Sequence, residues 1–164
     1  IARYLILILV AIPNLWLFYL IFTPITVYPV YWLLNIFYNT SLIGNNVVLA
    51  NQIAIEFVEA CIAGSAYYLL LILNLSTPGI KLNKRIKLIA LSFLAFLIVN
   101  ILRIFVLSLM AVSGSDFFGI THRVFWYSIS TIFVVAIWFA EIKTFKIKKI
   151  PFYSDMKFLY KLRR

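Results

Sequence analysis

Three residues of this chain combine reactive or charged types with positions where such types are costly: Cys61, Arg103 and His122. Cys61 is the sole cysteine and His122 the sole histidine among 164 residues. Cys61 follows two carboxylates, Glu56 and Glu59, and precedes residues 66–75, which are nearly pure hydrocarbon. A thiol becomes a nucleophile when a histidine or a nearby cation favours its thiolate. An arginine supplies charge and donors where an oxyanion develops, and in a water-poor site that counts strongly. A histidine beside both groups can shuttle the proton between the thiol and a leaving amine. The set suits acyl transfer through a thioester, if the fold brings the three together. Each member also has a structural reading: a small buried cysteine, a helix-capping histidine, an arginine that snorkels to a surface. An arginine inside a membrane still costs about 2.5–3.5 kcal/mol even on insertion scales.

Composition says what surrounds them. At 65% apolar and 18% aromatic residues, the chain departs from soluble domains, whose apolar share is nearer half. Several runs approach the ~20 apolar residues needed to cross a bilayer, so the expected fold is an all-α, multi-pass membrane protein. One cysteine excludes an internal disulfide, a CxxC redox pair and a cysteine-based zinc site. One histidine with few carboxylates argues against a transition-metal cluster, and no cofactor is implied. The net charge of +10 would suggest nucleic acid in a soluble protein, but its distribution argues against that partner. No Lys or Arg lies between Arg3 and Lys81, whereas Lys81, Lys84, Arg85 and Lys87 cluster, as does the tail 143–164. That asymmetry follows the positive-inside rule.

Taken in order, residues 4–22 form a first span starting inside, kinked at Pro13-Asn14 and ended by Pro24. It lacks the small-residue cleavage pattern of a signal peptide. Residues 23–40, with Tyr28, Tyr31, Trp32 and Tyr38, suit an outer helix lying in the interface. Gly44-Asn45-Asn46 signals a turn, Ala50-Asn51 a second, and Ile53, Ile55 and Phe57 alternate with the strand period. A small outer β-hairpin is expected there; the alternative is a helix from Asn51 to Leu75. A second span, 58–75, runs inward to the Thr77-Pro78-Gly79 stop, and a third, 86–112, returns outward. A fourth starts at Thr121, read as an N-cap, and ends at Ala140. Residues 1–142 thus make a membrane core of about four spans, and 143–164 a basic cytoplasmic tail suited to anionic lipid.

This topology puts the reactive set at one depth. Cys61 opens span two, and His122 opens span four on the same outer side. Arg103 lies about 24 Å above Lys87 at about 1.5 Å per residue, in the outer third of span three.

The motifs carrying these residues resemble the exosortase/archaeosortase family. In that pattern a short hydrophobic strand runs into a cysteine motif, Asn-x-x-Arg follows on a later span, and a histidine opens the next. Here the corresponding stretches are Ile53-Ala54-Ile55-Glu56-Phe57-Val58-Glu59-Ala60-Cys61, Asn100-Ile101-Leu102-Arg103 and Gly119-Ile120-Thr121-His122-Arg123, within residues 24–140. Leu42-Ile43-Gly44-Asn45-Asn46-Val47 resembles the family's outer loop. The family usually has Cys-Ser/Thr-Gly, whereas Cys61 is followed by Ile62-Ala63-Gly64. The resemblance implies a membrane cysteine peptidase or transpeptidase acting outside the cytoplasm on C-terminal sorting signals of exported clients. It implies Cys61 as nucleophile, Arg103 at the oxyanion, His122 as base then acid, and a lipid amine or water as acceptor. The rival expectations are a non-catalytic scaffold or transport-complex subunit in which Arg103 pairs with Glu59, and an acyl transferase that needs the histidine but not the thiol.

Overall fold

The computed structural model describes residues 2–49, 53–125 and 130–147. Helix α1 (Ala2–Ala11) ends just before Pro13, and Asn14 and Leu15 both turn left-handed (φ 49° and 60°). The break expected at Pro13-Asn14 is therefore present. The next expectation is corrected. Pro24 does not end a span, and no separate interfacial helix follows it: α2 (Trp16–Phe37) runs through both Pro24 and Pro29. An interior proline costs a helix about 3 kcal/mol. Here Phe18, Phe22, Thr26, Val30 and Leu34 recur every fourth residue as one buried stripe, and packing along it outweighs the two lost backbone bonds.

The chain then enters a three-stranded antiparallel sheet of order β1-β2-β3. Strand β1 (Thr40–Ile43) pairs with β2 (Asn46–Leu49), Ile43 opposite Asn46 and Thr40 opposite Leu49. The two-residue loop between them places Gly44 at φ 61°, where glycine has no Cβ penalty. Strand β3 (Ala54–Glu56) adds to β2 with Ile55 opposite Val47. The strand reading of this stretch therefore replaces the alternative helix from Asn51.

After β3 come α3 (Glu59–Ile62) and α4 (Gly64–Ser76), hinged at Ala63. Helix α5 (Leu82–Val112) follows, 31 residues or about 46 Å long. Among the described residues three helical segments are long and apolar enough to cross a bilayer: Trp16–Phe37, the α3–α4 run Glu59–Ser76, and Leu82–Val112. The expected fourth span falls on α6 (Phe118–Val124) and α7 (Ser130–Thr144), with residues 126–129 outside those described. Thr121 is not an N-cap. It lies inside α6, its N–H donating to the Phe117 carbonyl at 2.9 Å, because that helix begins three residues earlier.

Aromatic rings lock α2, α4 and α5 together. Tyr67, fully buried, stacks on Phe22 at 3.7 Å between centroids and meets the edges of Phe93 and Phe96. The outward faces keep large apolar side chains such as Leu20, Leu94, Ile98 and Leu102 exposed, an exterior suited to hydrocarbon rather than water. Polar groups gather at the two ends. At one end Arg85 donates to the carbonyls of Asn74, Leu75 and Thr77 at 2.6–2.8 Å, and Arg3 adds bonds to Leu75 and Thr77. The two guanidinium groups satisfy carbonyls that the end of α4 leaves without helical partners. Asn74 reaches Ser92 on α5 and Glu141 on α7, tying three helices beside this cap. The sheet and the α3–α4 hinge lie at the opposite end of α4.

Candidate active site

The site is built on a helix that breaks. Ala63, buried and not glycine, adopts a left-handed conformation (φ 58°, ψ 44°), which costs about 1–2 kcal/mol. Its N–H closes α3 on the Glu59 carbonyl at 3.0 Å, and the turn of the backbone frees the carbonyls of Ala60, Cys61 and Ile62. Gly64 follows because the Tyr19 ring packs directly against it; a Cβ there would meet ring carbons at 2.8–2.9 Å.

Asn100 and Arg103 answer the freed carbonyls. Three residues apart on α5, they project from one face. Asn100 Nδ2 donates to the Cys61 carbonyl at 3.0 Å and to that of Ile62 at 3.5 Å. Arg103 Nη2 donates to the Cys61 and Ala60 carbonyls at 3.3 and 3.5 Å. Arg103 Nη1 donates to Ser130 Oγ at 2.8 Å, and Ser130 in turn donates to the Phe125 carbonyl at 3.1 Å. One guanidinium thus links the cysteine turn, α5 and the start of α7. Arg103 Nε and Asn100 Oδ1 are buried with no hydrogen-bond partner, so the cluster is not saturated.

Arg103 and Ser130 border a cavity of about 1160 Å³, larger than most small-molecule pockets. Cys61, Arg103 and His122 all line it, with Glu56, Glu59 and Ser130. Its apolar wall comes from Tyr19, Leu69, Ile104, Leu107 and Val134. The three residues expected to share a depth are therefore brought to one cavity. Arg103 sits about 27 Å along α5 from Arg85, so the cavity is well separated from the basic end.

Two expectations about the set need correction. His122 does not open a helix; it stands in the last turn of α6, its ring stacked on Phe118 at 5.6 Å. Arg103 does not pair with Glu59: its partners are Ser130 and main-chain carbonyls. Sequence reasoning placed Asn100 in a motif without giving it work, although an amide three residues from an arginine in a long apolar run is a readable signal. Ser130 was missed, and one hydroxyl among many offers no signal. Among the described residues no group of His, Cys, Asp and Glu could hold a metal ion.

No protein-family model, no curated protein and no solved structure matches the chain.

Proposed function

We propose that this is a membrane-embedded cysteine peptidase or transpeptidase that cleaves C-terminal sorting signals of exported proteins, as the resemblance of its motifs to exosortases and archaeosortases implies. The observation that supports this reading best is that Cys61, Arg103 and His122, from three separate helices, line one cavity. By the positive-inside rule the end carrying Arg3, Lys84 and Arg85 faces the cytoplasm, and the cavity then opens on the far side, where exported clients arrive.

In this mechanism His122 takes the thiol proton as Cys61 Sγ attacks the scissile carbonyl carbon. The C=O bond becomes a C–O⁻, and the Arg103 guanidinium compensates the charge. Nη2, with only long contacts to the Ala60 and Cys61 carbonyls, is the nitrogen best able to change partner. Collapse breaks the C–N bond, the imidazolium returns its proton to the leaving amine, and a thioester to Cys61 remains. An acceptor amine, by resemblance that of a lipid head group, or water then attacks the thioester. Its proton passes through His122 to the departing thiolate. The thioester conserves the bond energy of the cleaved peptide, so the transfer needs no cofactor. Alanine at Cys61 or His122 should abolish client processing, and alanine at Arg103 should lower it about 10²–10³-fold, while each leaves the protein inserted. Normal processing by Cys61→Ala would end the mechanism.

A second reading has its own support. Arg103 joins α5 to the cysteine turn and to Ser130, which is what an assembly strut in a non-catalytic scaffold would do. On that reading Arg103→Ala impairs folding or partner binding, and Cys61→Ala is silent.

A further inference from the structure

Strand β3 ends the sheet, and its outer edge carries unused main-chain groups. The bond from the Leu49 N–H to the Ile53 carbonyl (3.0 Å) and the pairing of Ile55 with Val47 define which residues face β2. In an antiparallel ladder, alternate residues direct both N–H and C=O to the same side. Ile53 and Ile55 therefore point theirs at β2, and Ala54 and Glu56 point theirs away from it. No described residue bonds to these outward groups. Such an edge is a ready template for another strand, and proteins usually cover or blunt it.

Here the edge borders the cavity. Ile53, Ala54, Ile55 and Glu56 line the same space as Cys61, which follows β3 by five residues. We infer that β3 is the substrate dock: an extended peptide segment pairs with Ala54 and Glu56 as a fourth strand, and this lays its backbone beside Cys61 Sγ. Main-chain bonds supply affinity in this mode of recognition, and alternate side chains supply choice. The carboxylates of Glu56 and Glu59 on the cavity wall favour a basic side chain in that segment. The inference rests on the peptidase reading for its substrate, but its test needs no turnover.

The probe is the pentapeptide Val-Ala-Cys-Ala-Val whose thiol is a mixed disulfide with thionitrobenzoate. Cys61, the only cysteine, exchanges with it, forming a protein–peptide disulfide and releasing one coloured thiolate. A twin peptide is N-methylated on alternate amides and cannot pair, and the methanethiol disulfide of thionitrobenzoate serves as a small control. With the full chain in lipid nanodiscs, the plain peptide should react about tenfold faster than its twin, the effect of about two net backbone hydrogen bonds. Ala54→Pro removes an outward N–H while sparing the β2 ladder, and should erase the difference without slowing the control. Equal rates for the two peptides on the unaltered protein would overturn the dock, and that comparison stands even if Ala54→Pro does not fold. Pairing-dependent tethering alongside normal client processing by Cys61→Ala would keep the dock and retire the peptidase.

Discussion

The two ends of the bundle use one device to opposite effect. At each, an arginine on α5 reaches carbonyls released where a neighbouring helix stops. Arg85 is 5% exposed and makes three bonds of 2.6–2.8 Å to the end of α4. Arg103 makes two of 3.3–3.5 Å to the cysteine turn, leaves Nε without a partner and borders a cavity. A guanidinium held by short bonds is structural: without Arg85 the Asn74 carbonyl would be stranded, and those of Leu75 and Thr77 would keep only the longer bonds from Arg3. Arg103 keeps one short bond, from Nη1 to Ser130, but its Nη2, held by long bonds beside open space, can exchange partners, which a charge-stabilising group must do. The difference lies in the surroundings rather than in the residue type.

The comparison can be broken by substitution. The largest effect is expected at the open end, where Cys61→Ala should lower client processing on the order of 10⁴-fold or more, with unfolding free energy changed by less than about 1 kcal/mol. Equal losses of activity and stability would make Cys61 a packing residue. Arg103→Ala should reduce processing about 10²–10³-fold. Arg103→Lys should recover little, since it keeps the charge but loses the planar fork. At the closed end Arg85→Ala should destabilise by about 2–4 kcal/mol through the carbonyls it strands, read as a lower melting midpoint in detergent. Activity per folded molecule should not change there; a selective loss of turnover would erase the distinction between the ends.

The smallest effects concern the hinge. Ala63→Gly should stabilise by about 1 kcal/mol by relieving a left-handed non-glycine residue. Gly64→Ala should destabilise by about 1–3 kcal/mol as its Cβ meets the Tyr19 ring. If Ala63→Gly raises stability but slows processing, the strained turn helps to aim the thiol.

Much of this layout is legible without coordinates. The absence of Lys and Arg between Arg3 and Lys81 separates a basic end from a site end, and the order of spans read from the sequence predicts that Cys61, Arg103 and His122 come together, as they do at one cavity. Gly44 and the alternation at Ile53 and Ile55 announce the strands. Pro24 misleads because local rules treat an interior proline as a stop, whereas α2 is held by its buried every-fourth-residue stripe. Thr121 misleads for the opposite reason: a good capping side chain sits where the helix is already under way. The left-handed turn at Ala63 and the Ser130 contact are tertiary, set by Tyr19 packing on Gly64 and by α7 lying beside α5. No local pattern encodes either.

The central claim is that Cys61 is an activated nucleophile in a cavity open to the side opposite the basic end. Because Cys61 is the only cysteine, a membrane-impermeant maleimide applied to intact cells reads it without ambiguity. The account predicts labelling from outside, at a rate that falls sharply in His122→Ala and in Arg103→Ala. Labelling only after the cytoplasmic face is opened, or an outside rate indifferent to both substitutions, would contradict it.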